Sequence, residues 1–390
     1  MSIGLKREDD PRPAFQWKPE LVADDSTVVP VGVVLAAGRS QRLSAASSGH
    51  SKAVLKLGGS ALAEHAINTL RKAGVERVIV VVGYEADSVT AQLADTGVEI
   101  VRADDWDAGN GVSLAAARDL VGEEDRFALM CGDHLFADGA LDTLLRFTEA
   151  AVLVDSSPDP AVWDEGTRVS IDNGKATAFS KDIDAPAVDC GVFVLPGSIF
   201  AAQQEASAGG DYSLAGAVTG LAAEIPINAV SLPTGSWWQD VDTPQDLKAA
   251  RSLVRRSLGK DSDGPISRRL NRPISTRLTM LAAPLRLPPT VFSIVTLLVG
   301  MWAAWSLTAG QALLGGALIH AASVLDGSDG ETARLHARAT RRGALIDRLV
   351  DRTVDGAIFA GLWLWAFDSP SLGLRIGVLG VTAVGFGIVA

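Results

Sequence analysis

Four carboxylates, Asp326, Asp329, Asp347 and Asp351, stand in a part of the chain that is otherwise apolar enough to lie in a bilayer. Ionisable groups at that depth are costly and mark function. Four charges of one sign hold together only around something positive. A divalent metal is the simplest candidate, because hard cations take oxygen ligands. Asp326 and Asp329 are three apart and Asp347 and Asp351 four apart, so on helices each pair shares a face. The connector between the pairs carries Arg338, Arg341 and Arg342, which predicts two helices folded back antiparallel with the pairs converging. Gly330 and Ala333 leave a bare strip for close approach of a ligand, and Arg334 offers a planar fork suited to phosphate.

The pattern D-G-x2-A-R-x8-G-x3-D-x3-D resembles the signature of the CDP-alcohol phosphotransferases, with Asp329, Gly330, Ala333, Arg334, Gly343, Asp347 and Asp351 at its fixed positions and Asp326 upstream. The resemblance implies that Asp326, Asp329 and Asp347 bind metal, Mg²⁺ or Mn²⁺. Asp351 would help hold the metal and act as the base that deprotonates an attacking alcohol. Gly330, Ala333, Arg334 and Gly343 would line the nucleotide.

A second chemical element lies near the start of the chain. Val29 to Ala37 is an apolar, β-branched run that reads as a buried strand. It ends in Leu35-Ala36-Ala37-Gly38, followed by Arg42 and, downstream, Lys52. Bare backbone amides in such a loop cradle phosphates, and the two cations supply charge for a triphosphate. No G-x-x-x-x-G-K-[ST] or GxGxxG pattern occurs. L-A-A-G-x-x-x-R-L with a later lysine resembles the sugar-phosphate nucleotidyltransferases. That likeness implies a magnesium ligand at Asp133, which ends the strand Met130-Cys131-Gly132, and a second metal element at Asp240, with Asp242 its neighbour. Lys181 suits the phosphate of an acceptor. Asn110 and Ser113 can hydrogen-bond a base, and Asp189 can contact acceptor hydroxyls. In the implied reaction an acceptor phosphate oxygen attacks the α-phosphorus of a nucleoside triphosphate and pyrophosphate leaves; metal and cations neutralise charge.

The elements that must position these groups follow from periodicity and composition. A helix is expected at about 61–73, and strands at 78–82, 98–102, 127–131, 151–155, 188–195 and 226–232. This strand–helix alternation predicts an α/β, Rossmann-like nucleotidyltransferase domain with a mainly parallel sheet, whose ligands bind beyond the carboxyl ends of strands. A helix over 244–257 closes it. The expected organisation is a mobile arm (1–28), the nucleotidyltransferase domain (29–257), a linker with an amphipathic interfacial helix (258–288) and an all-α transmembrane domain (289–390). In the third segment Leu270, Ile274, Leu278 and Leu281 fall near one helical face with Arg268, Arg269, Arg272 and Arg277 elsewhere, a pattern suited to anionic headgroups.

The 390 residues carry a net charge of −11, which argues against a general nucleic-acid binder. The mean hydropathy of +0.22 is high for a soluble protein. The two cysteines imply no disulfide framework and suit a reducing compartment. The polar N-terminus lacks the apolar core of a signal peptide, so the first domain is expected in the cytoplasm. Spans are expected at about Val291–Leu307, Gln311–Leu325, Ala344–Phe367 and Leu372–Ala390. Arginines before the first and between the second and third place those ends on the cytoplasmic side of the cell membrane.

From about residue 30 onward the chain resembles the family of bifunctional inositol-1-phosphate cytidylyltransferase/di-myo-inositol-phosphate phosphate synthases, through GNGVSL, CGDH, VDCGVFVL, DVDTPQDL, DGPISRRLNRPISTRLT and SVLDGSDGETAR. The resemblance implies CTP plus inositol 1-phosphate giving CDP-inositol, then transfer of its phospho-inositol group to a second inositol 1-phosphate with release of CMP. It also implies contacts between two copies through the membrane domain. The family's six membrane helices exceed the four placed here, so a fragment lacking the last two is expected. Two other readings compete: the same chemistries on another phosphorylated alcohol or a phosphonate, making a phospholipid head group; or a non-catalytic, membrane-tethered binding module. The complete acidic sets argue against the last, since carboxylates kept without a metal repel.

Overall fold

The computed structural model describes residues 28–39, 42–43, 49–122, 126–259, 267–335, 341–368 and 373. The expected arm (apart from Val28), residues 260–266 of the linker segment, Arg338 and the fourth span (apart from Gly373) lie outside them. The chain forms two compact units, Met1–Ala250 and Arg251–Ala390.

The first unit is built on a nine-stranded sheet. Its strands, with one short outlying pair included in the numbering, are β1 (Val31–Ala36), β2 (Arg77–Val82), β3 (Glu99–Arg102), β4 (Phe127–Cys131), β5 (His134–Phe136), β6 (Ala151–Asp155), β7 (Arg168–Asp172), β8 (Lys175–Ser180), β9 (Ala187–Leu195), β10 (Ile227–Ser231) and β11 (Trp238–Asp240). The sheet runs β3-β2-β1-β4-β9-β6-β10-β8-β7. Neighbours β3, β2, β1 and β4 pair in parallel, as do β6 and β10, while β9 and β8 run against their neighbours. The expected parallel direction therefore holds for most strands, with two reversed. The principal helices are α1 (Leu62–Lys72), α2 (Ala86–Leu93), α3 (Asn110–Ala115), α4 (Ile199–Ala208), α5 (Leu214–Glu224) and α6 (Pro244–Ser257).

Both sheet faces are covered, so β1 is apolar at nearly every position rather than alternating. Val31 and Val33 enter one core cluster, with Phe127, Leu129 and Phe193. Val34 and Ala36 enter the other, with Ile67, Leu70 and Met130. Strands β7 and β8 were not expected from the sequence. They form a hairpin over Asn173-Gly174, both at positive φ, the Asn-Gly signal of a tight two-residue turn.

The second unit contains α7 (Arg272–Ala282), α8 (Pro289–Thr308), α9 (Ala312–Leu335) and α10 (Arg341–Asp368). Among the described residues α8 alone is long and apolar enough to cross a membrane. α9 carries Asp326, Asp329, Glu331 and Arg334 within the helix, and α10 carries aspartates and arginines. Helix α8 meets α10 at small residues: a Cβ on Gly300 would lie 2.5 Å from Val354 Cγ1, and one on Gly361 2.7 Å from the Ala304 carbonyl oxygen. The backbone at Ala304 cannot rotate aside as a side chain can. Gly361→Ala is therefore expected to push the helices apart at a cost of about 1–3 kcal/mol, read as a lower thermal midpoint in detergent; an unchanged midpoint would contradict this close approach. Leu298, Trp302 and Trp305 on α8 and Leu345, Leu349 and Leu364 on α10 are exposed.

Candidate active sites

The first site forms where β1 and β4 end. Strand β4 delivers Cys131, and Asp133 follows it. The chain then turns into β5, which pairs antiparallel with β11 so that His134 lies opposite Asp240. This short ladder is what brings Asp133 and Asp240 together; a backbone bond from Val241 N–H to the Asp133 carbonyl (3.2 Å) closes it. Carboxylate oxygens of Asp133, Asp240 and Asp242 all lie within 4.8 Å of one another. Asp240 Oδ1 is buried and accepts no hydrogen bond; its ion-pair neighbour His134 Nδ1 is 3.8 Å away, too far for one. A buried oxygen left so, among two further carboxylates, fits a hard divalent cation.

Positive side chains already compensate part of this charge. Lys52 Nζ bridges Asp133 and Asp242, 2.6 Å from Asp242 Oδ1, and Arg42 joins Glu165 and Asp242, 2.8 Å from Asp242 Oδ2. Both cations, expected at a triphosphate, rest on the acidic cluster here. Burial opposes the charge on Lys52, but Asp133, Asp240 and Asp242 outweigh it and raise its pKa. Burial likewise favours a neutral Asp133, yet Lys52 and His134 hold it well below the usual carboxylate range. The His134 imidazole is also buried, which would lower its pKa; Asp240 and Asp133 lift it to about 9. Asp240, with burial dominating, is raised to about 6.

His134 was not singled out from sequence. Its Nδ1 lies 2.6 Å from Asp133 Oδ1, and its ring stacks on Trp238, whose Nε1 donates to Asp155 Oδ2 at 2.8 Å. Gly191, at φ +72°, has to be glycine: a Cβ would meet the His134 ring at 2.8 Å and Cys131 Sγ at 3.3 Å.

A cleft of about 840 Å³ opens from this cluster, lined among others by Asn110, Glu165, Lys181, Asp189, Asp211 and Asp240. Lys181 is exposed at its rim. Asp189 accepts from Gly191 N–H at 2.8 Å, but burial outweighs that bond and raises its pKa to about 6. Asn110 Oδ1 accepts from Leu214 N–H at 2.8 Å and so ties α3 to the start of α5. Ser113 departs from its expected role. It is buried, its hydroxyl 3.3 Å from the Gly109 carbonyl it donates to, one turn back, and it does not line the cleft. In the loop expected to cradle phosphates, the Leu35 and Ala37 carbonyls accept from Gly132 and Tyr84 N–H at 2.9 Å, Ala36 is buried, and a Cβ on Gly38 would meet nothing within 4 Å.

The second site lies wholly in the second unit. Oxygens of Asp326, Asp329 and Asp347 fall within 4.8 Å of one another; Asp326 also faces Asp351, and Asp329 faces Asp347. The i, i+3 and i, i+4 pairs thus converge from α9 and α10. Ser293 of α8 donates to Asp329 Oδ2 at 2.9 Å. Asp329 also accepts from Gly330 N–H. The donor set is all oxygen and suits a hard divalent cation. Arg334 donates to the Leu258 carbonyl at 2.6 Å, and a Cβ on Gly330 would meet its guanidinium at 3.3 Å, so the strip expected to be bare is flanked by that arginine. Ala333 and Gly343 lie on α9 and α10, neither fully buried. Arg272, expected on the polar face of an interfacial helix, is instead turned inward to Glu331 at 2.6 Å.

The MobA-like NTP transferase domain matches residues 32–178, and the CDP-alcohol phosphatidyltransferase family matches residues 257–389. The chain is 35% identical over 339 residues to the bifunctional IPC transferase and DIPP synthase of Rubrobacter xylanophilus, covering 85% of this chain and 77% of that one. It is 34% identical to the protein of the same description from Archaeoglobus fulgidus, covering 83% and 64%. The inositol-1-phosphate CTP transferase from T. maritima superposes with a TM-score of 0.54 at 24% identity, over 61% of this chain and 99% of that chain, and so shares the fold of the first unit. With both family models matched in order and a relative 35% identical over 77% of its own length, the chain belongs to the family of bifunctional IPC transferases and DIPP synthases.

Proposed function

We propose that the protein makes CDP-inositol from CTP and inositol 1-phosphate, releasing pyrophosphate, and then transfers the phospho-inositol group to a second inositol 1-phosphate, releasing CMP. The observation that carries this is the presence, in one chain, of two separate oxygen-rich clusters, one at the mouth of a cleft and one between helices.

In the first step Asp133 and Asp240, with Asp242 beside them, would hold the divalent ion, Mg²⁺ or Mn²⁺. Bound there, the ion supplies charge neutralisation at the α-phosphorus and leaving group. Arg42 and Lys52 exchange Asp242 for the triphosphate, beside the backbone of Leu35 to Gly38. Lys181 takes the acceptor's phosphate at the cleft rim. Asp189, held partly neutral by burial, both donates to and accepts from the inositol hydroxyls. Asn110 contacts the base through its free amide edge. The phosphate oxygen of the acceptor then attacks in line, and proximity supplies much of the rate.

In the second step Asp326, Asp329 and Asp347 would hold the ion, while Arg334 leaves the Leu258 carbonyl for the pyrophosphate of CDP-inositol. Asp351 takes the proton of the attacking hydroxyl. The exposed apolar side chains of α8 and α10 support the reading of this unit as a multi-pass domain of the cell membrane, with the first unit cytoplasmic and two copies joined through the membrane helices.

An acceptor panel tests the reading. The full chain is incubated with CTP, Mg²⁺ and a set of phosphorylated alcohols and phosphonates, and pyrophosphate is measured. Release with inositol 1-phosphate is expected to exceed that with any other acceptor. Release with a different acceptor, and none with inositol 1-phosphate, would replace this substrate assignment with a phospholipid head-group precursor.

A further inference from the structure

Glu331 lies inside the aspartate stretch yet takes no part in its cluster. It follows Asp329 by two residues, about 200° round the helix, so it leaves α9 on the side away from the aspartate pair. It is wholly buried, and a buried carboxylate persists only when paired and hydrogen-bonded. Three donors on α7 meet that need. Arg272 Nη1 (2.6 Å) and Ser275 Oγ (2.7 Å) donate to Oε1, and Thr279 Oγ1 (2.8 Å) to Oε2. Spaced three and then four apart, they form one face of α7. The contact continues to Gly327, next to Asp326. A Cβ there would meet the Arg272 guanidinium at 3.2 Å and Ser275 Oγ at 3.4 Å, so the backbone that carries the metal-binding pair lies flush against α7.

We propose that Glu331 and Arg272 are positioning residues for the transfer step: they lock α9 against α7 and so fix the register at which Asp326 and Asp329 face α10. The proposal rests on the reading of Asp326, Asp329 and Asp347 as metal ligands. α7 is then a strut for the metal site, coupled through an ion pair that lies between sequence positions 59 apart. Groups that orient metal ligands cost roughly 10–100-fold in metal affinity when removed. Here the effect passes through helix placement, so the lower end of that range is expected.

The test uses the full chain in detergent, supplied with CDP-inositol and inositol 1-phosphate, with CMP release followed against Mg²⁺ concentration. Glu331→Gln is expected to raise the half-saturating Mg²⁺ about tenfold. Ser275→Ala and Thr279→Val, which each remove one donor and keep the ion pair, are expected to raise it about threefold. Arg272→Met is expected to be worse than the double variant Arg272→Met/Glu331→Gln, because only the single change leaves a buried charge uncompensated. A role in stability alone would lower the thermal midpoint and leave the Mg²⁺ requirement where it was. That result in folded Ser275→Ala and Thr279→Val proteins overturns the proposal, and those two decide the matter if Glu331→Gln does not fold. Asp326→Asn separates this idea from the reading beneath it. If its Mg²⁺ response is normal, the metal assignment itself fails; if it is inactive while Glu331→Gln responds normally, only the strut falls.

Discussion

Asp351→Asn is expected to slow CMP release from supplied CDP-inositol by roughly 10²–10⁴-fold, the usual share of a general base, while pyrophosphate release from CTP stays at its original rate. Asparagine keeps the shape of the side chain and its place opposite Asp326, but it can no longer accept the proton of the attacking hydroxyl. Helix α10 meets α8 where Val354 packs on Gly300 and Gly361 on Ala304, and the substitution changes none of these residues. The two rates are measured on one preparation, CMP by chromatography and pyrophosphate by a coupled assay. Undiminished CMP release would remove Asp351 from the chemistry and favour a tethered binding role for the second unit.

The converse experiment is Asp133→Ala. Loss of a proposed metal ligand that also neutralises Lys52 and His134 is expected to forfeit several kcal/mol of charge stabilisation, or roughly 10³-fold in rate. CDP-inositol formation is expected to fall by that factor, with transfer from supplied CDP-inositol unaffected, because the second cluster contains no residue of the first unit. Without Asp133, Lys52 keeps Asp242 and His134 keeps only its longer approach to Asp240. Circular dichroism on the purified variant shows whether the sheet is retained. Loss of both activities in a folded protein would mean that the two sites are one.

The features legible in the amino-acid order are those set by local geometry. The spacing of Asp326, Asp329, Asp347 and Asp351 put each pair on one helical face, and the structure brings three of them within 4.8 Å. Apolar runs marked β1, β2, β4, β6, β9 and β10, because strands buried on both faces leave few polar positions. The β7–β8 hairpin escaped that rule: its burial is mixed along both strands, and only Asn173-Gly174 announced it. Periodicity pointed to a helix around Leu270–Leu281, and apolar runs to spans at about 291–307, 311–325 and 344–367; the structure has helices at 272–282, 289–308, 312–335 and 341–368, of which 289–308 is, among the described residues, long and apolar enough to cross a membrane.

What tertiary structure alone decided is which charges meet. Nothing near Asp133 in the chain shows that β5 pairs with β11 and so carries Asp240 to His134, or that Lys52 and Arg42 share Asp242. Likewise Ser113, polar and beside a glycine-rich turn, is consumed by its own helix, and Arg272, one of several arginines on a helix, is the one turned inward to Glu331. The physical reason is range. Helical and strand periodicity is a property of neighbours a few residues apart and is written in the order of residue types, while the pairing of a buried charge depends on which distant segment the folded core carries to it.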